Sequence, residues 1–479
     1  MLSYRSAYGS ALLALTSLAL GAACATGDGG DTFKDLSPSA VDLEGAADLR
    51  TTSKTDGATA DLAPAGVDLP PPGIPILYPP GRTHSPITPS VVDNLRAIAA
   101  LATAHEDVFA KVGDSHTVAT GYMQCFNNAS LDLAGFTDLL DGIEHFANGD
   151  AAGDDPYDRA SLAALGGKTA SWAISGSPSP VDQELAAISP RYATVMFGTN
   201  EIGSDNPTLA QEGIRAASYG GNMMTLIEKI IEAGAIPIIS AIPPRTDVES
   251  DRMVPVFNAV ARAIAQWKQV PFIDLELELR PLMDPKYGLA SDGVHLQSPS
   301  AGACVFTAAG LEYGNNVRNL ATMETLDLLK GILFDNDPAP DSTAPTLAGT
   351  GDRNDPFVID VTALPFGDVR NTAAGGFDLI DKYTGCSATQ DESGTEFWYR
   401  IELTEPTKLR ALVLDRGAVD IDVHVLDSTG EASGCIARDD TQVVTPVLAA
   451  GTYFVVLDTF VKTGVAQSGE YLFVLLKEP

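Results

Sequence analysis

Positive charge is scarce in this chain of 479 residues: 30 lysines and arginines face 63 aspartates and glutamates, for a formal net charge of −33. A surface this acidic repels phosphate backbones, and no Lys/Arg-rich stripe interrupts it, which excludes general nucleic-acid binding. Long apolar runs are missing too. The N-terminal one, Ala11 to Leu20, is about half of the ~20 residues a bilayer-crossing helix needs, and no later segment is longer and apolar enough, so no transmembrane helix is expected. Cysteine is rare, with five residues whose spacings match no zinc pattern. What remains is ordinary globular material, 45% hydrophobic, over a length that exceeds a single core. At least two folded units are expected.

Residues 1–24 carry one charge, Arg5, then the short apolar stretch and the small residues Gly21, Ala22 and Ala23, which reads as a secretory signal. Cys24 after two alanines resembles the lipobox of bacterial lipoproteins, although Gly21 stands where that motif prefers a large aliphatic residue. The resemblance implies a lipid anchor on Cys24, with membrane attachment by that anchor alone and a place at the cell surface or outer membrane. Ordinary cleavage near Ala23 or Ala25 would instead release a secreted protein. Residues 25–85 lack hydrophobic periodicity and close on a Pro-rich exit, so they are expected to form a disordered acidic spacer. In an exported protein the four remaining cysteines invite pairing, and the unit boundary drawn below divides them two and two. Cys125 with Cys304 and Cys386 with Cys435 are the expected disulfides.

Between residues 86 and 335 helical patterns alternate with short apolar runs. Strands are expected at Val108 to Val112, Ser171 to Ser175, Ala193 to Phe197, Ala235 to Ala241 and Pro271 to Leu275, with helices over Val91 to Ala104, Asn222 to Ala233 and Met253 to Lys268. Such alternation predicts an α/β three-layer, flavodoxin-like fold around a parallel five-stranded sheet. Ligands in these folds bind beyond the carboxyl ends of the strands. The first strand ends in Gly113-Asp114-Ser115, the second in Gly176, the third in Gly198-Thr199-Asn200, and a late loop carries Asp292-Gly293-Val294-His295. Acyl transfer on serine needs a hydroxyl, an imidazole base, a carboxylate to orient it and donors for the oxyanion. Ser115, His295 and Asp292 supply the first three. The Ser115 and Gly176 N–H groups with the Asn200 carboxamide supply the oxyanion hole, with Gly166 or Gly167 as competitors of Gly176.

Each of these short motifs taken singly is an ordinary turn. In this order, each at a strand end or late loop, they resemble the four sequence blocks of the SGNH (GDSL) hydrolase family, over about half the chain. The resemblance implies a serine ester hydrolase without metal or organic cofactor, working through a covalent acyl-enzyme on acyl or acetyl esters, those of carbohydrates included. Lysophospholipase, thioesterase and acyltransferase activities stay open within the family. A non-catalytic surface-binding protein is the alternative outside it. One departure is Glu201, where the third block usually ends in aspartate. His116 reads as a helix-entry residue, and His84, His105 and His145 as surface or spacer positions.

Residues 336–351 form a second Pro/Asp/Thr linker, and from 352 to 479 short alternating runs broken by Gly and Asp predict an all-β sandwich. The Glu396-Phe397-Trp398-Tyr399 run, the Asp420/Asp422 alternation, Gly451-Thr452-Tyr453 and the closing Gly469-Glu470-Tyr471 resemble the bacterial pre-peptidase C-terminal domain. That likeness implies an accessory module, with polysaccharide or matrix contact as its role. Some relatives of that domain bind calcium, for which Asp420 or Asp422 could supply a ligand; the two read here as solvated edge carboxylates, His424 as lying on the solvated strand face, and no metal is placed there.

Overall fold

The computed structural model describes residues 75–203 and 205–478. The expected signal, Cys24 and most of the spacer lie outside them. In the first region the helices are α1 (Pro89–Ala99), α2 (Ser115–Val118), α3 (Leu140–Ala147), α4 (Ala170–Ala173), α5 (Pro180–Ile188), α6 (Thr199–Ile202), α7 (Leu209–Glu232), α8 (Val248–Asp251), α9 (Val254–Lys268), α10 (Leu275–Leu279) and α11 (Gly314–Lys330). The strands are β1 (His105–Gly113), β2 (Pro190–Met196), β3 (Ile236–Ser240) and β4 (Phe272–Ile273), hydrogen-bonded in sequence order and all parallel. Strands β2 and β3 are buried at every position, as a sheet covered on both faces requires.

The sheet therefore has four strands among the described residues, where five were expected. Ser171 to Ser175 supplies no strand: it belongs to α4 and the turn after it, with Ala170 and Ala173 buried three residues apart in helical spacing. A five-residue apolar run cannot be told from a short helix by periodicity alone. Here the Glu201 carboxylate accepts the Ala170 N–H at 2.7 Å and so stabilises the helix start. The folded region also begins earlier than the expected end of the spacer: Tyr78 is buried and its hydroxyl donates to the Val270 carbonyl at 3.0 Å.

The second region adds β5 (Phe357–Ile359), β6 (Phe366–Asn371), β7 (Glu396–Leu403), β8 (Lys408–Asp415), β9 (Ile421–Leu426), β10 (Cys435–Asp439), β11 (Gln442–Val444), β12 (Gly451–Thr459), the small hairpin β13 (Val461–Lys462) and β14 (Val465–Ala466), and β15 (Glu470–Glu478). They form one sheet in the order β10-β9-β12-β7-β5 and another in the order β11-β8-β15-β6. Alternate residues Leu409, Ala411 and Val413 of β8 and Tyr471, Phe473 and Leu475 of β15 fill the core between the sheets. The opposite face of the same strands, with Leu412, Leu414, Leu472, Val474 and Leu476, joins the core of the α/β region. The described residues thus make one compact unit. Contact is close: a Cβ on Gly220 of α7 would meet Leu414 Cδ2 at 2.0 Å, and one on Gly367 of β6 would meet Ala263 of α9 at 2.5 Å. Charged groups seal the joint, with buried Arg410 donating to Glu212 of α7 at 2.8 Å and to Glu478 at 2.6 Å.

Cys125–Cys304 and Cys386–Cys435 are disulfides, as paired above. The solvated-face assignment of β9 is overturned: His424 is fully buried and Asp422 nearly so, because residues 372–395 between β6 and β7 fold over that face. Asp420 alone of the three is partly exposed. Of the other histidines, His105 is exposed, while His84 is partly buried against the Ala321 carbonyl.

Candidate active site

Ser115 is the first residue of α2, directly beyond the carboxyl end of β1. Asp114 caps that helix, its carboxylate accepting the His116 N–H at 3.0 Å. The turn demands a glycine before it: a Cβ on Gly113 would lie 2.6 Å from the Met196 carbonyl of β2. The Ser115 hydroxyl is 2.9 Å from His295 Nε2, across 180 residues of sequence. His295 Nδ1 lies 2.6 Å from Asp292 Oδ2, while Asp292 Oδ1 accepts the N–H groups of Val294 and His295 at 3.0 Å each. Partial burial opposes ionisation of Asp292, but these hydrogen bonds prevail and hold its carboxyl down at about 2. It is an anion at neutral pH, suited to fixing the ring with Nδ1–H toward itself and Nε2 toward the serine. Gly293, at φ +72°, makes the tight loop possible, and its carbonyl accepts the Thr246 N–H at 3.1 Å.

Asn200 sits in α6, after β2. Its Nδ2 donates to the Lys168 carbonyl at 2.8 Å and lies 3.4 Å from Asp114 Oδ2, so one N–H is committed and the other is loosely held by the residue that precedes Ser115. The expected oxyanion glycine needs correction. A Cβ on Gly176 would approach only the Pro178 carbonyl within 4 Å, whereas one on Gly166 would lie 3.8 Å from Ser115 Cβ. Gly176 ends the turn after α4, and the loop that reaches Ser115 is the one at Gly166 and Gly167, whose N–H groups donate to no described residue. Gly176→Ala is accordingly expected to cost about 1–2 kcal/mol of stability through its φ of +88° while sparing turnover. Gly166→Val crowds Ser115 and should lower kcat by about 10²-fold or more, as small misplacements of reacting groups do. Steady-state kinetics on a p-nitrophenyl ester decides, and equal turnover of the two variants would contradict the placement.

Two residues close to the site escaped the motif reading, and a third entered it only as a departure from the third block. Arg245 follows β3 and donates to the Thr199 carbonyl; the strand-end rule that located Asn200 applies to it as well. Arg318 of α11 donates to the His116 carbonyl at 2.8 Å and to Thr117 Oγ1 at 3.2 Å, with no signal in its neighbouring sequence. Both guanidiniums favour ionised Asp114, yet its complete burial dominates and pushes the carboxyl up to about 6. His116, buried beside His295, is driven well below its ordinary range by burial and the same cations, so it is a neutral neighbour. Glu201 is the third. It accepts from Ala170 at 2.7 Å and from Gly198 at 3.0 Å, linking α4 to the Asn200 turn.

Burial raises the Glu201 carboxyl from 4.5 to about 7. The folded state then holds a proton that the unfolded chain has released, so this contribution is complete below pH 4.5 and fades as pH climbs through about 7. Asp114 acts in the same direction. The unfolding temperature is expected to decline between about pH 5 and about pH 8, and less steeply in Glu201→Gln. Parallel profiles for the two proteins would refute this.

Residues 112–299 match the GDSL-like lipase/acylhydrolase family. No curated protein matches the chain. Among solved structures it is similar to an acetylxylan esterase from Geobacillus stearothermophilus, at 13% identity over 47% of this chain and 95% of that one, with a TM-score of 0.31. It is also similar to a GDSL-like lipase from Bacteroides thetaiotaomicron, at 13% identity over 50% and 98%, with a TM-score of 0.29.

Proposed function

We propose that this chain, a serine ester hydrolase by virtue of its GDSL-type domain, uses Ser115, His295 and Asp292 to cleave short acyl esters such as acetyl groups on carbohydrates. The observation that carries this reading is the continuous hydrogen-bonded path from Asp292 through His295 to Ser115. Ser115 Oγ attacks the ester carbonyl as His295 Nε2 takes its proton. The carbonyl oxygen becomes an oxyanion, held by the Ser115 N–H, the Gly166 or Gly167 N–H and the loosely engaged N–H of Asn200. Collapse expels the alcohol, which leaves with the proton from His295. Water then attacks the acyl-serine by the same base, releasing the carboxylic acid and restoring the hydroxyl.

Preference for small, soluble esters is supported by the surroundings. The side chains of His295 and Asp292 are 46% and 50% exposed, so the site opens to solvent. The groove beside the loop is lined by Thr246, Lys286, Leu289, Ala290, Ser291 and Gln297, a mixed polar surface unsuited to a long acyl chain. The large negative charge disfavours anionic bilayers as substrate.

Two disulfides accord with an oxidising compartment. The proposal includes export by the N-terminal segment, an anchor on Cys24, and a C-terminal module of pre-peptidase type. One sheet of that module is spent on α7 and α9 and the other is covered by residues 372–395, which leaves that cover as the surface for polysaccharide or matrix contact. A fluorophosphonate probe tests the catalytic claim. It is expected to label Ser115 and to block hydrolysis of acetylated xylose and p-nitrophenyl acetate together; labelling at another serine would overturn the assignment.

A further inference from the structure

The C-terminal sandwich hides a second cluster of chemistry, far in character from the ester site. Strand β9 reads Ile421-Asp422-Val423-His424-Val425, and alternation sends the three aliphatic residues into the core between the sheets. Asp422 and His424 point to the opposite face. There residues 372–395 cross the sheet, pinned by the Cys386–Cys435 disulfide and by a small apolar core of Ile380, Tyr383, Trp398 and Val456. This cover brings down Glu392. Glu392 and His424 are both 0% exposed and Asp422 is 2% exposed.

Buried polar groups are almost always paired, and here they are not. Neither oxygen of Glu392, neither ring nitrogen of His424, nor Oδ1 of Asp422 has a hydrogen-bond partner among the described residues. His424 Nε2 lies 3.7 Å from Glu392 Oε1, beyond hydrogen-bond reach. The imidazole is held instead by stacking on Tyr383, ring centroids 3.6 Å apart, so its orientation is set by packing.

Charge is unbalanced as well. Across the register from Asp422 stands Asp458, fully buried, with Oδ2 taking the Tyr383 hydroxyl at 2.6 Å and Oδ1 unpaired. Glu396 is also buried, though satisfied by Trp398 and Leu379. Against these four carboxylates the cluster offers one guanidinium among the described residues, Arg438, which is 2.7 Å from Asp422 Oδ2, 3.8 Å from Glu392 Oε1 and 2.9 Å from the exposed Asp440. One cation on one side leaves the inward oxygens of Glu392 and Asp422 facing an imidazole with a free lone pair.

The geometry points to a divalent metal site formed by Glu392, Asp422 and His424. One donor atom from each lies within 4.8 Å of the others, a spread that an ion bonding at roughly 2.0–2.2 Å draws together with small side-chain shifts. One imidazole with two carboxylates suits a first-row transition ion such as zinc, whereas calcium and magnesium favour all-oxygen shells. The ion would neutralise the buried carboxylates and, together with the disulfide, staple residues 372–395 to β9. Its role is structural, since nothing in the ester chemistry passes through it.

The test uses the disulfide-intact full chain, stripped with a chelator, dialysed and supplied with zinc chloride or cobalt chloride. The expected result is a single ion bound per chain by elemental analysis, a zinc-dependent rise in unfolding temperature, and a visible cobalt spectrum of nitrogen/oxygen ligation. Glu392→Gln and His424→Gln are expected to lose all three while keeping fluorophosphonate labelling of Ser115. Should those variants fail to fold, anomalous diffraction from zinc in wild-type crystals must show its peak between the three side chains. Stripped wild type that takes up no more zinc than His424→Gln, an unmoved unfolding temperature, or an anomalous peak elsewhere would each overturn the site.

Discussion

Ser115→Ala lowers kcat for p-nitrophenyl acetate by about 10⁵–10⁶-fold, leaving only what the oxyanion donors and substrate binding supply. The size follows from the connectivity of the site. Ser115 Oγ is 2.9 Å from the only nitrogen of His295 that faces it, and the other nitrogen is engaged by Asp292 at 2.6 Å. Removing the hydroxyl deletes the attacking atom and leaves the base with nothing to activate. His295→Ala should therefore be nearly as damaging, and the double variant should lose little more, because the residues work as one unit. Asp292→Asn is expected to cost about 10⁴-fold, since an amide can hold the ring in the wrong tautomer. Circular dichroism checks that each variant is folded. Retention of a tenth of wild-type turnover by Ser115→Ala would end the catalytic reading.

Arg410→Ala should strongly destabilise the fold without touching the site. Its guanidinium is 1% exposed on the side chain and reaches Glu212 of α7 at 2.8 Å, Gln442 of β11 at 2.9 Å and Glu478 of β15 at 2.6 Å. The alanine leaves Glu212, itself fully buried, with Arg252 as its remaining cation, and strands Glu478. Breaking a buried pair from one side costs about 3–5 kcal/mol, and the lower end applies because Arg252 stays. In urea, the wild type should unfold in one transition, because the two regions share a core, while Arg410→Ala shifts the midpoint down and separates the transitions. Adding Glu212→Gln should recover part of the loss by removing the orphaned charge. An unchanged midpoint would show that the apolar contacts of Leu414 and Leu472 carry the joint alone.

The motif residues were legible because strand ends in a parallel α/β sheet are marked by short apolar runs followed by glycine and a polar group. That rule located Ser115 and Asn200, the Asp-Gly-Val-His motif of a late loop added Asp292 and His295, and the hydrogen bonds now join three of the four. It misplaced the glycine because Ser171 to Ser175 has a composition equally fit for strand or helix, and the deciding contact, Glu201 to the Ala170 N–H, comes from thirty-one residues away. Arg318 could not have been found, since only the packing of α11 against α2 gives it meaning.

In the sandwich, alternation correctly divided β9 into two faces but said nothing about what lies over each. The polar face of Asp422 and His424 was read as solvated, and the cover over it hangs on a disulfide and a few apolar contacts made by residues distant in sequence. Strand β15 shows the converse. Tyr471 to Leu476 is apolar at every position, a pattern of burial on both faces, and the second face packs on α9.

Sequence alone determined the chemistry-bearing residue types, their order and the division into α/β and all-β grammar, because these rest on local periodicity and short motifs; the expected pairing of four cysteines followed from that division. Tertiary structure decided which glycine stands beside the serine, that the two regions share one core, and that a polar strand face is sealed from water. Those outcomes depend on contacts between segments far apart in the chain, whose free energy no local pattern encodes.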